Sequence, residues 1–160
     1  MRVSVNAVGR LKRGPERELC ERYVERAAAQ GRTVGVSAVT MSDIAESQAA
    51  TVELRRADEA ARLAAMVPDR AVTVALDETG RELASTAFAA RLRGWLEDGT
   101  PDLCFLIGGP DGHGGEIRES AGLVLSLGRM TWPHGLARAM LCEQIYRAVT
   151  ILVNHPYHRS

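Results

Sequence analysis

Lysine is nearly absent: Lys12 is the only one among 20 basic residues, and arginine supplies the rest. In an alanine-rich chain this imbalance reads as codon bias and implies no partner. Cysteine is scarce too. Cys20, Cys104 and Cys142 are odd in number, far apart and set in apolar segments. They fit buried thiols in a reduced cytoplasm better than a disulfide framework or a zinc site. No apolar run nears the roughly 18 residues of a membrane span. The opening MRVSVNAVGRLKRG lacks the apolar stretch and small-residue cleavage site of a signal peptide, so a cytoplasmic location is expected. Repeats, linkers and low-complexity stretches are also missing. What remains is 160 residues, 46% hydrophobic and 25% charged, which is one ordinary domain over 1–160. Disordered and fibrous classes are excluded.

The net charge of zero hides an asymmetry. Residues 1–32 carry eight basic against four acidic side chains, and 129–160 carry four against one. The centre, 33–128, is acidic. If the two ends meet in space they form a positive patch able to hold a polyanion. On charge alone, ordinary solvated faces remain the simpler reading.

Strand and helix patterns alternate. Val3, Val5 and Ala7 mark a half-buried strand over 2–8. Pro15 opens a helix that Gly31 closes. A second strand is expected at 33–39, then a long alanine-rich helix over 43–67 before Pro68. Apolar strands follow at 71–76, 103–107 and 123–127. Ser85 reads as the cap of a helix carrying Phe88, Leu92 and Trp95 and ended by Gly99, and a last helix covers 135–153. Strands apolar on both faces belong in a parallel sheet covered by helices on both sides. The fold class is therefore α/β, with a mostly parallel sheet of about five strands. Ligands of such sheets bind beyond the carboxyl ends of strands, which directs attention to the loops after Leu76, Ile107 and Leu127.

The loop after Ile107 holds five glycines in eight residues, Gly108 to Gly115. It is neither a Walker A nor a Rossmann fingerprint, because the spacing and position are wrong for both. A plain turn and a cradle for a nucleotide-like ligand both stay open, and its place after a buried strand favours the cradle. The loop 125–134 combines Gly128 with Leu127, Met130 and Trp132, a mixture suited to an adenine-sized ring held by main-chain hydrogen bonds. Taken alone, Met130 and Trp132 read better as core. Arg138 and Arg147 interrupt the apolar final helix, and read either as solvated, snorkelling side chains or as phosphate contacts. The tail, Asn154 to Ser160, sets His155, Tyr157, His158 and Arg159 close together. Such a set stacks on a base and holds phosphate. His155 and His158 lack a third ligand, so no metal is expected.

Six segments make a recognisable set: AVGRLK at 7–12, VALDETG at 74–80, FLIGGPDG at 105–112, LSLGRMTWPH at 125–134, EQIYRA at 143–148 and NHPYHR at 154–159. With these the chain resembles, nearly end to end, the RlmH (YbeA-type) family of SPOUT-class methyltransferases. That resemblance implies a single SPOUT-like α/β knot domain with a C-terminal trefoil knot, one of the rare exceptions to unknotted topology. It implies S-adenosyl-L-methionine as cofactor and N3 of a pseudouridine in 23S ribosomal RNA of the large subunit as acceptor. It further implies a homodimer through the C-terminal helix, acting on the assembled ribosome. By matching positions, Leu76, Gly108, Leu127, Gly128, Arg129, Met130, Thr131 and Trp132 resemble the cofactor-binding residues. Tyr157 and His158 resemble the catalytic tail residues that reach the partner's cofactor, and Arg147 and Arg159 resemble RNA contacts. The stretch after Gly112 (HGGE) departs from the family pattern, so no role is carried to His113. In this reading His158 takes, or orients the taking of, the imide proton of the acceptor, since imidazole titrates near neutrality.

Overall fold

The computed structural model describes residues 1–158, the side chain of His158 excepted. The elements run β1 (Arg2–Val8), α1 (Pro15–Gly31), β2 (Ala38–Ile44), α2 (Val52–Ala64), β3 (Val72–Glu82), α3 (Ser85–Glu97), β4 (Asp102–Ile107), α4 (Gly115–Ser120), β5 (Leu123–Ser126) and α5 (His134–Leu152). Short 3₁₀ turns cover Arg32–Val34 and Pro156–His158. The five strands form one sheet in the order β2-β1-β4-β3-β5, and every ladder is parallel.

Alternation along the strands builds two hydrophobic layers. Val3, Val5 and Ala7 of β1 and Leu103, Phe105 and Ile107 of β4 face one side, against α1, α3 and α5. Cys104, Leu106 and Ala75 face the other, with Ala60 of α2 and Ile117 of α4. All six residues of β4 are buried, as a central strand covered on both faces requires. Local signals explain the helix starts. Pro15 at the first position of α1 has no amide to leave unpaired, and Glu16 and Glu18 complement the helix dipole. The Thr51 hydroxyl caps α2 by accepting from the Leu54 amide at 3.2 Å.

Because the strands are parallel, their carboxyl ends gather at one edge. The ladder of β3 and β5 is broken there. Leu76 pairs with Leu125, the chain leaves the ladder, and Arg81 then pairs with the same Leu125. Gly80 sits on this excursion, flat against the backbone of β5. A Cβ at Gly80 would lie 2.8 Å from backbone atoms of Val124 and Leu125. No other side chain fits between the two segments.

Several sequence expectations are corrected. The second strand lies at 38–44 rather than 33–39, because Thr33 and Val34 turn in a 3₁₀ segment and Gly35 adopts φ +92°. The helix expected over 43–67 shrinks to α2, since Asp43 and Ile44 complete β2 and the Thr51 cap sets the helix start at Val52. Ser85 is not a cap; it is the first residue of α3, and its hydroxyl donates to Gln144 Oε1 at 2.8 Å. Arg138 is neither solvated nor placed on a phosphate. It is 1% exposed and donates to the carbonyls of Val8 and Gly9, with Asp43 at 3.5 Å. It thereby ties α5 to the end of β1. All three cysteines are buried free thiols. Among the described residues no helix is long and apolar enough to cross a membrane, and no group of three metal-binding side chains occurs.

Candidate cofactor pocket and tail

A cavity of about 520 Å³ opens at the carboxyl edge of the sheet. Its walls come from the three loops singled out in the sequence. Leu76, Gly108, Leu127, Gly128, Met130, Thr131 and Trp132 all line it; Arg129 is exposed and does not.

The glycine loop is shaped by close approach. A Cβ on Gly108 would lie 3.0 Å from backbone atoms of Gly112 and His113. Gly112 takes φ +78° and its amide donates to the Gly109 carbonyl at 2.9 Å, closing the turn. Three side chains then fasten the loop. Arg55 Nε donates to Asp111 Oδ2 at 2.7 Å, and Arg56 Nε donates to the Asp111 carbonyl at 2.7 Å. His113, in the stretch that departs from the family pattern, is buried with Nε2 3.1 Å from the Leu106 carbonyl. A carbonyl only accepts, so that nitrogen carries the proton. Burial holds the His113 imidazole below its ordinary value, although the Leu106 carbonyl and Asp77 oppose this. The ring is therefore neutral at neutral pH, a signal that neither its spacing nor its neighbours in sequence disclose.

Charged groups flank the cavity floor. Burial alone would raise the Asp77 carboxyl, but the Thr79 hydroxyl and amide, with Arg118 and His113, together hold it below the usual range. The Asp111 carboxyl is lowered chiefly by its hydrogen bond from Arg55.

The loop between β5 and α5 is the third wall. Gly128 adopts φ +110°, and its amide donates to Ser126 Oγ at 3.1 Å. Residues 129–133 are then exposed in a row; the Pro133 carbonyl accepts from the Ala137 amide, and none of the described hydrogen bonds engages the main chain of 129–132. Met130 is 71% exposed and Trp132 38%, which overturns the reading of both as core. The loop turns them outward because Pro133 is extended, at φ −55° and ψ 140°, and starts α5 directly behind them.

The tail packs elsewhere. Tyr157 OH donates to Glu143 Oε1 at 3.0 Å, and the same oxygen accepts from Arg147 Nε at 2.9 Å. The Arg147 guanidinium lies 5.0 Å from the centre of the Tyr157 ring, whose other neighbour, Tyr146, is 4.6 Å away between centroids. Burial, then the Tyr23 hydroxyl and the Glu143 carboxylate, push the Tyr157 phenol above its usual value, so it stays protonated and donates. Tyr157 thus anchors the tail to α5. Glu143 and Gln144 line a second cavity of about 450 Å³, which shares Leu127 and Gly128 with the first. Arg147 is paired with Glu143 rather than free. Arg159 and the side chain of His158 lie outside the described residues.

The basic ends do meet. α1 packs along α5, and Leu11 and Glu16 crowd Gly135 at 3.4 Å and 3.1 Å from where its Cβ would stand. This sets the loop carrying Arg10, Lys12 and Arg13, all exposed, beside the start of α5. The sequence showed the charge of this segment but not its position.

A parallel α/β sheet with a ligand cavity across three strand ends defines a nucleotide-type cofactor-binding domain. Residues 1–158 match the family model described as "Predicted SPOUT methyltransferase". The chain is 54% identical to "Ribosomal RNA large subunit methyltransferase H" of Rhodopseudomonas palustris (strain BisA53), and 51% identical to the protein of that name from Brucella anthropi, covering 100% of this chain and of each relative. This chain belongs to the SPOUT methyltransferase family. Among solved structures it is similar to the SpoU methyltransferase AviRb from Streptomyces viridochromogenes in complex with AdoMet. There the identity is 16% and the TM-score 0.39, over 96% of this chain and 61% of that one.

Proposed function

We propose that this chain methylates N3 of a pseudouridine in 23S ribosomal RNA of the large subunit, with S-adenosyl-L-methionine as methyl donor, in the cytoplasm. The observation that carries the reading is the cavity at the carboxyl edge of the sheet. Seven of the eight residues matched to the family's cofactor site line it. The fit to the cofactor rests on Gly108, where an added Cβ would press at 3.0 Å on the backbone of Gly112 and His113, and on the main chain of 129–132, which none of the described hydrogen bonds engages. S-adenosyl-L-methionine, when bound, supplies an activated methyl group on a sulfonium and needs no metal.

Leu76, Gly108 and the segment Leu127–Trp132 hold the cofactor in this reading, the residues from Arg129 to Trp132 through their main chain. Leu76 and Leu127 give apolar walls, and the main chain after Gly128 gives donors and acceptors. His158 accepts the imide proton of the acceptor base, or orients the group that does. Tyr157 positions the tail and does not itself stack on the base, because its faces and hydroxyl are already engaged. Arg159 contacts RNA phosphate, and Arg147 supports the tail through Glu143.

Tyr157 holds the tail on Glu143 of α5, and a second copy supplying His158 is the arrangement the family resemblance implies. A homodimer through α5 achieves this. The C-terminal knot belongs to the same reading, and the excursion of residues 77–80 between two pairings with Leu125 is compatible with it. The experiment is His158→Ala, assayed for cofactor affinity and for methyl transfer to ribosomes lacking the modification. Unchanged affinity with lost turnover is expected; wild-type turnover would remove His158 from the mechanism.

A further inference from the structure

Exposed apolar side chains are rare on this protein and cluster in one place. Of the four large hydrophobic residues exposed among the described ones, Met130, Trp132 and Leu136 lie within seven positions, and the first two line the cavity. Exposing an indole in water is unfavourable unless a partner covers it. The ground around it is basic. Arg129 is exposed next to Met130, and the loop with Arg10, Lys12 and Arg13 stands beside the start of α5. On the cavity wall itself Arg56 and Arg118 are balanced by Asp77, Glu78 and Asp111, so the basic border is Arg129 and the loop of residues 10–13. A flat aromatic face bordered by arginine and lysine matches single-stranded RNA, whose bases stack and whose phosphates need cations.

We propose that Trp132 is the stacking platform for the acceptor nucleotide, and that Arg10, Lys12 and Arg13 hold the phosphates beside it. This rests on the RNA-methylating reading above and adds a division of labour to it. The main chain of 127–132 serves the cofactor, and the outward side chain of Trp132 serves the acceptor. A lone stacked base also explains how so small a domain grips RNA, because a splayed nucleotide is fixed by one aromatic face and its flanking phosphates.

The test compares Trp132→Ala, Trp132→Phe and the triple variant Arg10→Ala, Lys12→Ala, Arg13→Ala. Wild-type methyl transfer to undermodified ribosomes is measured first, and its absence sinks the methylation reading itself together with the proposal. Given transfer, Trp132→Ala should lower kcat/KM for the ribosome by roughly 5- to 150-fold. Phenylalanine should recover most of it, and cofactor affinity should not change. For a uridine-rich single-stranded RNA oligonucleotide, the triple variant should flatten the plot of log Kd against log salt by about 0.7 per cation removed. Trp95 is buried and Trp132 is exposed, so the oligonucleotide should also reduce the quenching of wild-type fluorescence by acrylamide. Four results overturn the proposal: equal loss in the phenylalanine variant, a parallel loss of cofactor affinity, an unchanged salt slope, or dissociation of the dimer by Trp132→Ala. The last would assign the patch to a second copy of the chain.

Discussion

Replacing Gly80 by alanine adds one methyl group where the chain lies against the backbone of β5. The added carbon would stand 2.8 Å from Val124 C, Val124 O and Leu125 C. Carbon atoms rest at about 3.5–4.0 Å, so one segment must retreat by roughly 0.7 Å or more. Neither retreats easily: Val124 and Leu125 lie in the β3–β5 ladder, Gly80 is tied to it through its neighbour Arg81, and the obstacle is backbone rather than a side chain that can swing away. Overpacking of this kind costs about 1–3 kcal/mol, and the backbone contact places this site at the upper end. Against that stands about 0.4–1 kcal/mol gained because alanine has less freedom than glycine in the unfolded chain. A net loss of about 2 kcal/mol lowers Tm by about 4–8 °C in a protein of this size. The assay is thermal unfolding followed by circular dichroism, with urea unfolding as a check. Gly94→Ala is the matched control: it lies inside α3 and its Cβ would meet nothing within 4 Å. It should raise stability by about 0.5–1 kcal/mol. If Gly80→Ala melts within about 1 °C of the wild type, the contact is looser than described and the reasoning fails.

His113 predicts an acid-sensitive stability. Burial holds its folded-state value below the ordinary 6.5, so on acidification the unfolded chain binds the proton first. Its contribution is complete above about 6.5 and is lost as pH falls below that, by at most about 1.4 kcal/mol per pH unit; His113→Leu should flatten this limb of the urea-unfolding profile, and an unaltered limb counts against the burial argument. Tyr157→Phe removes the hydrogen bond to Glu143 and should lower methyl transfer several-fold while cofactor affinity, by calorimetry, stays the same; a matching loss of affinity would place Tyr157 in the cofactor site. Gly108→Ala should weaken cofactor binding by about tenfold or more, since the loop must open to admit a Cβ, and calorimetry showing wild-type affinity would refute the cradle.

The sheet was legible because its signals are local and redundant. Runs such as LCFLI have no polar face, and α1 is framed by Pro15 and Gly31. The second strand was misplaced because TVGVSAV alternates as well as AVTMSDI does, and only the left-handed Gly35 decides between them. The cavity loops were found by rule, since ligands gather at the carboxyl ends of parallel strands. Tertiary facts were not legible. Nothing near Arg138 in sequence reveals that its partners are Val8, Gly9 and Asp43, and nothing near Tyr157 reveals its hold on Glu143. Met130 and Trp132 misled because apolar residues are ordinarily buried, and their exposure comes from how Pro133 sets the start of α5.

Methyl transfer from isotopically labelled S-adenosyl-L-methionine to ribosomes lacking the modification, with the product nucleoside identified by mass spectrometry, tests the proposed activity most directly. Label is predicted on N3 of a pseudouridine in large-subunit RNA. Label on any other nucleoside, or no label from a protein that binds the cofactor, would contradict it.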